Sequence, residues 1–256
     1  MLEVLSRARD EFGVVAVKAE FEAEGTRVDE LLRLLEIARK ANVKVGLKIG
    51  GCEAIRDLIE CRQYGADYII APMVESPYAL SKFVAGKDNF YSSDEQEDVG
   101  FLFNVETRET FDRIEKLADV AAKGRVGMVF GRVDFAGSMG RARDFVNTEE
   151  MTDYVCSVAK LAQQHDLELV VGGGVSPDSI EPLRRIREVR LDRFETRKVI
   201  FDAAILDGGP VRQGMEAAIE FELLWLQNKR NYYRTIAAED ETRIAMMEAR
   251  QNAKVA

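Results

Sequence analysis

Short apolar runs alternate with longer stretches of helical period along most of the chain. Residues 14–21 (Val-Val-Ala-Val-Lys-Ala-Glu-Phe) predict a strand, and 29–41 a helix whose apolar face carries Leu31, Leu32, Leu34, Leu35 and Ile37. The rhythm continues with strand 43–49 and helix 53–64, then strand 68–74 and helix 78–84; the polar segment 86–98 reads as a loop. Strand 99–105 and helix 108–121 follow, then strand 126–133, an irregular stretch at 137–147, helix 149–165 and strand 167–171. Ser176-Pro177-Asp178 starts the next helix, with Ser as cap, Pro in the first turn and Asp at the positive helix end. A seventh strand is expected at 193–200, a short eighth at 203–206, and helices at 215–234 and 239–251.

Six strand–helix pairs and two further strands are the count of an α/β fold of the (β/α)8 TIM-barrel class, here with a C-terminal helical extension. The competing arrangement is an open doubly wound sheet. That fold wants Gly-x-Gly-x-x-Gly after the first strand, whereas this chain has Glu20-Phe21-Glu22-Ala23-Glu24-Gly25, an acidic turn that repels a pyrophosphate. No Pro- or Ser-rich linker divides the chain, so one domain is expected over 1–256, with 215–256 as helices used in subunit contacts. Phe221, Leu224, Trp225, Tyr232 and Tyr233 form an apolar-aromatic stripe on that extension, the expected interface of a homo-oligomer.

Charge narrows the partners. Thirty-six Lys plus Arg against 45 Asp plus Glu give a net charge of −9, which disfavours a nucleic-acid partner. No apolar run reaches the roughly 20 residues that cross a bilayer. The charged N-terminus does not resemble a signal peptide, so no membrane partner and a cytoplasmic location are expected. Cys52, Cys61 and Cys156 are three cysteines without paired spacing, unlike a disulfide framework or zinc ribbon. The single histidine, His165, precedes the sixth strand and falls at the end of a barrel that serves stability.

In a barrel the chemistry sits where strands end. The predicted strand tails carry Lys18, Glu20 and Glu22; Lys48 with Gly50 and Gly51; Pro72, Met73 and Glu75; Asn104 and Glu106; Gly131, Arg132 and Asp134; and Glu195, Arg197 and Lys198. Any one of these reads equally as an ion pair in the barrel mouth, but buried charges are costly unless paired or bound to a ligand. Glu106 and Asp134 close neighbouring strands. They read either as helix-capping or ion-paired acids, or as an all-oxygen ligand set suited to Mg²⁺ or Mn²⁺. Lys48 beside two glycines reads as an anion site. Gly172-Gly173-Gly174 reads either as a tight turn or as a ligand cradle.

Phe103-Asn104-Val105-Glu106-Thr107, followed by Gly131-Arg132-Val133-Asp134-Phe135-Ala136-Gly137-Ser138-Met139-Gly140, resembles the two metal-ligand motifs of the HpcH/HpaI aldolase and citrate lyase β-subunit family. Ala71-Pro72-Met73-Val74-Glu75 is similar to that family's Pro-Met-Val segment. The resemblance implies a (β/α)8 barrel and a divalent cation, Mg²⁺ or Mn²⁺, held by Glu106 and Asp134. It implies a 2-oxo acid substrate, typically pyruvate or oxaloacetate, an acceptor, and carbon–carbon bond making or breaking through a metal-stabilised enolate; the extra lysine and arginine at the mouth add phosphoenolpyruvate or another phosphate-bearing anion as a variant. Taken with the strand-tail reading, this gives Glu20, Lys48 and Arg132 as the expected catalytic residues, and Lys18, Gly50, Gly51, Met73, Asn104 and Gly131 as the expected substrate-binding ones.

The chain departs from the aldolase pattern at three places. Phe21 stands where the family has a histidine, Lys48 where it has an arginine, and Arg132 where it has the proline of a Gly–Pro pair. A non-catalytic metal- and anion-binding barrel is the alternative expectation.

Overall fold

The chain, described here from a computed structural model, closes into the expected eight-stranded barrel, in the order β1-β2-β3-β4-β5-β6-β7-β8. The structure describes residues 1–253; the last three residues of the expected 215–256 extension lie outside the described residues. The strands are β1 (Val14–Glu20), β2 (Lys44–Lys48), β3 (Tyr68–Ala71), β4 (Gly100–Val105), β5 (Gly127–Gly131), β6 (Leu169–Gly172), β7 (Arg193–Glu195) and β8 (Val199–Asp202). Strands β1 to β7 pair in parallel, and β8 runs antiparallel to both β7 and β1.

That last pairing corrects the reading of 193–200 as one strand. The run breaks at a tight turn in which Thr196 N–H donates to Val199 O (2.9 Å) and Val199 N–H to Thr196 Oγ1 (3.2 Å). No Gly, Pro or Asn marks the turn, so the β-rich sequence hides it. The hairpin is clamped by Phe194 and Phe201, which face each other in register with ring centroids 4.9 Å apart and planes 6° from parallel. Residues 203–206, expected as the eighth strand, form a 3₁₀ turn, Ala203–Leu206.

Three other expectations change, and one element that was not expected is present. The segment 86–98 is not a loop: helix Pro77–Phe90 takes its first part and Ser93–Asp98 is a second helix, started by a Ser92/Glu95 capping box. A helix, Leu2–Phe12, precedes β1 and stops at Gly13 in the left-handed region (φ 66°). The fifth strand ends at Gly131 rather than 133, because helix Arg132–Ser138 begins at once. The two expected C-terminal helices are one, Val211–Asn252, of 42 residues.

The barrel interior follows the two-residue period of a strand. Its middle layer is apolar: Ala16, Ile70, Leu102, Val129, Val170 and Ile200 are all buried. Two residues further toward the strand ends, the inward positions become Lys18, Asn104, Gly131 and Gly172, joined by Lys48 and Glu195. The larger apolar layer lies outside the strands, between sheet and helices, and includes Leu31, Leu34, Leu58, Phe83, Leu117, Phe135, Val155 and Leu183. The helices therefore hold a rigid wall, and the charged upper layer is the feature that packing does not explain. Among the described residues, no helix is long and apolar enough to cross a membrane.

Candidate active site

A pocket of about 580 Å³ opens at the C-terminal ends of the strands. Lys18, Glu20, Lys48, Asn104, Glu106, Gly131 and Asp134 line it, so seven of the residues expected in catalysis, substrate binding or metal binding are brought together. Glu22, Arg143, Gly172, Gly173, Gly174, Glu195, Thr196 and Arg197 join them, with Ile219 and Glu222 of the C-terminal helix.

Glu106 is the anchor. It follows β4 and is only 1% exposed. Its Oε1 accepts from Met73 N–H (2.8 Å), its Oε2 accepts from Asn104 Nδ2 (2.6 Å), and Lys48 Nζ lies 3.6 Å away. Burial pushes the Glu106 carboxyl above the usual carboxylate range; Lys48 and the two hydrogen bonds work against that, and the charge of Asp134 adds to it. Asp134 stands in the first turn of helix Arg132–Ser138 and is exposed at the pocket. Gly131 makes room for the arrangement, since a Cβ there would lie 2.9 Å from Glu106 Cβ and 3.1 Å from its Oε2. Met73 holds a left-handed backbone (φ 51°), which costs an L-residue roughly 1–2 kcal/mol and aims its N–H at Glu106.

Lys48 closes β2 between Glu106 and Glu22, the latter 3.2 Å from Nζ. Burial disfavours its charge, but Glu106, Glu22 and Glu20 outweigh burial and hold the ammonium above the ordinary lysine value. Lys18 bonds Glu195 and lies 3.4 Å from Glu20. Lys198, from the β7–β8 turn, bonds Glu24 instead.

Four expected site residues are not brought to the pocket in the roles assigned. Arg132 follows inward-facing Val129 and Gly131, so strand parity turns it to the outer side of the wall. There it is 1% exposed and donates to Gly172 O (3.1 Å), Val146 O (3.2 Å), Asn147 Oδ1 (3.2 Å) and Ser179 Oγ (3.3 Å). It ties loops together, and with no carboxylate beside it burial pulls its guanidinium down to about 10. Gly50 spends its N–H on Asp57 Oδ2 (2.7 Å), in the first turn of helix Ile55–Tyr64, rather than cradling an anion, and neither Gly50 nor Gly51 lines the pocket. Met73 contributes its backbone, while its side chain is 52% exposed. His165 caps the end of helix Glu149–Gln164, as its place before β6 suggested.

The donor set fits a hard divalent cation. Two carboxylates just beyond the adjacent strands β4 and β5 line one pocket, the more buried of them is penalised for its charge, and Asn104 Oδ1 beside it is buried with no hydrogen-bond partner. Among the described residues no group of three or more His, Cys, Asp or Glu is placed to hold a metal. The protein would supply two oxygens' worth of carboxylate and leave the rest of an octahedral shell to water and substrate.

A closed barrel with a charged pocket at the strand ends has the architecture of a barrel enzyme. The chain belongs to the HpcH/HpaI aldolase/citrate lyase family, whose pattern matches residues 14–176. Solved structures repeat the fold. An HpcH/HpaI aldolase/citrate lyase family protein from Burkholderia cenocepacia J2315 is 14% identical, with a TM-score of 0.60 over 90% of this chain and 100% of its own. An HpcH/HpaI aldolase from Desulfitobacterium hafniense DCB-2 is 15% identical, with a TM-score of 0.58 over 80% and 83%. A citrate lyase from Burkholderia xenovorans LB400 is 16% identical, with a TM-score of 0.57 over 84% and 73%. No curated protein matches the chain.

Proposed function

We propose that this chain is a divalent-cation-dependent carbon–carbon lyase or synthase acting on a 2-oxo acid of the pyruvate, oxaloacetate or phosphoenolpyruvate type. The observation that carries the reading is buried Glu106 sharing one pocket with Asp134 and Lys48. Glu106 and Asp134 would hold Mg²⁺ or Mn²⁺, which when bound supplies Lewis-acid polarisation of a substrate carbonyl. Lys48, kept charged by its carboxylate neighbours, binds the substrate carboxylate. Glu20, at the end of β1 and 3.4 Å from Lys18, moves the proton. Gly131 keeps the wall beside Glu106 thin enough for a ligand to reach it. The family's aldolase and citrate lyase members support the reaction class.

The test follows deuterium from solvent into the pyruvate methyl group in the presence of Mn²⁺. Exchange is expected in the wild type, and about 100-fold less with Lys48→Met, an oriented charge–carboxylate contact being lost. Pyruvate binding without exchange would remove the reading for that substrate. It would favour the non-catalytic binding barrel, which Phe21 at the family's histidine position supports.

Gly131→Ala is expected to weaken Mn²⁺ binding at least about tenfold while costing roughly 1–3 kcal/mol of stability, since its methyl overlaps Glu106. Thermal melts with and without Mn²⁺ separate the two effects, and an unchanged Mn²⁺ shift would contradict the packing argument.

The same reading includes a homo-oligomer built on the C-terminal helix. Of the stripe expected as the interface, Phe221 and Trp225 are buried in this chain's own core and Tyr233 OH bonds Glu30 (2.7 Å), so with Lys229 on Glu30 (3.1 Å) they anchor the helix to the barrel instead. Every described residue from 234 onward is exposed, with Ile236, Ile244, Met246 and Met247 among them. A helical arm without packing is marginal in water, which a partner copy would remedy. Ending the chain after Tyr233 is expected to reduce the solution mass to that of a smaller assembly, with little change in the melting of the barrel. Light scattering reads this, and an unchanged oligomer would place the interface elsewhere.

A further inference from the structure

Lys18 and Glu195 lie 177 positions apart and meet only because the barrel closes. Lys18 Nζ is bonded to Glu195 Oε1, and Glu20 Oε1 lies 3.4 Å from the same nitrogen. Glu195 is 5% exposed, and its Oε2 is buried without any hydrogen-bond partner. An open buried acceptor costs about 1–3 kcal/mol, so packing alone does not favour it. Gly172 reserves the space, since a Cβ there would lie 2.9 Å from Glu195 Oε1. One layer below, the same wall is filled by Ala16, Val170 and Ile200. An apolar filling of the upper layer would be at least as stable as an ion pair. The pocket holds no histidine or cysteine, and Lys48 is engaged with Glu22 and Glu106.

We propose that Lys18 is the proton donor to the reacting substrate carbon and that Glu195 is its positioning residue, together replacing the histidine absent at Phe21. The inference rests on the lyase reading above. In the cleavage direction Glu20 takes the proton of the substrate hydroxyl. The carbon–carbon bond breaks with its electron pair passing into the enolate, and the carbonyl fragment leaves. A Lys18 N–H bond then breaks as a C–H bond forms at the enolate carbon, giving the methyl group of the 2-oxo acid. Glu20, now protonated and 3.4 Å away, returns its proton to the Lys18 amine, so both groups regain their starting charge. The reverse sequence exchanges methyl protons with solvent through the ammonium.

The charges around Lys18 suit a resting donor. Burial opposes its positive charge, and Glu195 and Glu20 outweigh burial, holding it above the ordinary lysine value. The other charged groups facing it are Lys48 on β2 and Lys198 at the β7–β8 turn, the latter engaged with Glu24.

The test compares wild type, Glu195→Gln and the double variant Lys18→Met/Glu195→Leu, which removes the bonded pair together and leaves Glu20 facing the cations Lys48 and Lys198. Each is measured for Mn²⁺-supported pyruvate methyl exchange across pH, and wild type and Glu195→Gln also for lysine Nζ titration by ¹⁵N NMR. For Glu195→Gln the expected result is kcat down about 100-fold with KM within about threefold. The high-pH limb and the Lys18 titration should both move down by about one pH unit. The double variant is expected to melt near the wild type, to bind pyruvate and to show no exchange. Wild-type kcat and pH profile in Glu195→Gln, or residual exchange in the double variant, would overturn the inference while leaving the lyase reading intact. If Glu195→Gln does not fold, the double variant decides. No exchange by a wild type that binds pyruvate would instead defeat the lyase reading, and this inference with it.

Discussion

Glu106→Gln is expected to cut Mn²⁺-dependent pyruvate exchange about a thousandfold, the equivalent of ~4 kcal/mol of lost transition-state stabilisation, while making the cation-free protein more stable at neutral pH. The loss of activity follows from the donor set, because a neutral amide is a poor ligand for a hard cation. The gain in stability follows from burial. The folded-state pKa of Glu106 lies above its unfolded value, with burial the main cause. Between those two values the native state binds more protons than the unfolded state. The associated stability is therefore full below the unfolded pKa and is lost as pH rises through the folded one.

A glutamine carries no such penalty and can keep the local hydrogen bonds. Its oxygen accepts from Met73 N–H, and its NH₂ donates to the unpartnered Asn104 Oδ1 once that amide turns over. Melting curves across pH without cation should show the wild type losing ground to the variant as pH rises. Added Mn²⁺ should raise the wild type and leave the variant where it was. A variant that melts below the wild type at neutral pH, or that still exchanges pyruvate protons at the wild-type rate, would contradict this account of Glu106.

Arg132→Ala has the largest expected effect on stability, a loss of about 3–5 kcal/mol. The side chain is buried, and its removal strips donors from Gly172 O and Val146 O and leaves a cavity of guanidinium size. At roughly 2–4 °C per kcal/mol for a chain of this size, the melting temperature should fall by about 10 °C. Arg132→Lys should recover part of this, keeping the charge but not the fork that reaches four acceptors. The outcome separates a structural arginine from a substrate-binding one. If Arg132 touched substrate, the alanine variant would melt normally and fail in turnover; a wild-type melting temperature would reject the placement described here.

The contrast between Glu106 and Arg132 shows what a sequence makes legible. Glu106 closes an apolar strand of clear two-residue period, and its neighbours Phe103, Asn104 and Val105 fix which way it points. Arg132 follows Gly131, which faces the barrel interior, so strand alternation alone puts its side chain on the opposite face from the one the catalytic reading gave it. The β7–β8 hairpin was hidden for a different reason: Arg193 to Asp202 carries strand-forming residues without a turn-forming Gly, Pro or Asn. Glu195 was visible as a charge on a strand, but its pairing with Lys18 depends on closure of the barrel and on the reversed β8 strand, neither of which has a local signature. Gly50 misled because a glycine beside a lysine suggests an anion cradle, whereas its N–H is consumed by Asp57, seven residues on.

The central claim is that two carboxylates far apart in the chain hold one hard cation at the barrel mouth. Calorimetric titration of Mn²⁺ into the wild type and into Glu106→Ala/Asp134→Ala tests it most directly. The account predicts one site per chain in the wild type and no measurable uptake by the double variant; uptake unchanged from the wild type would contradict it.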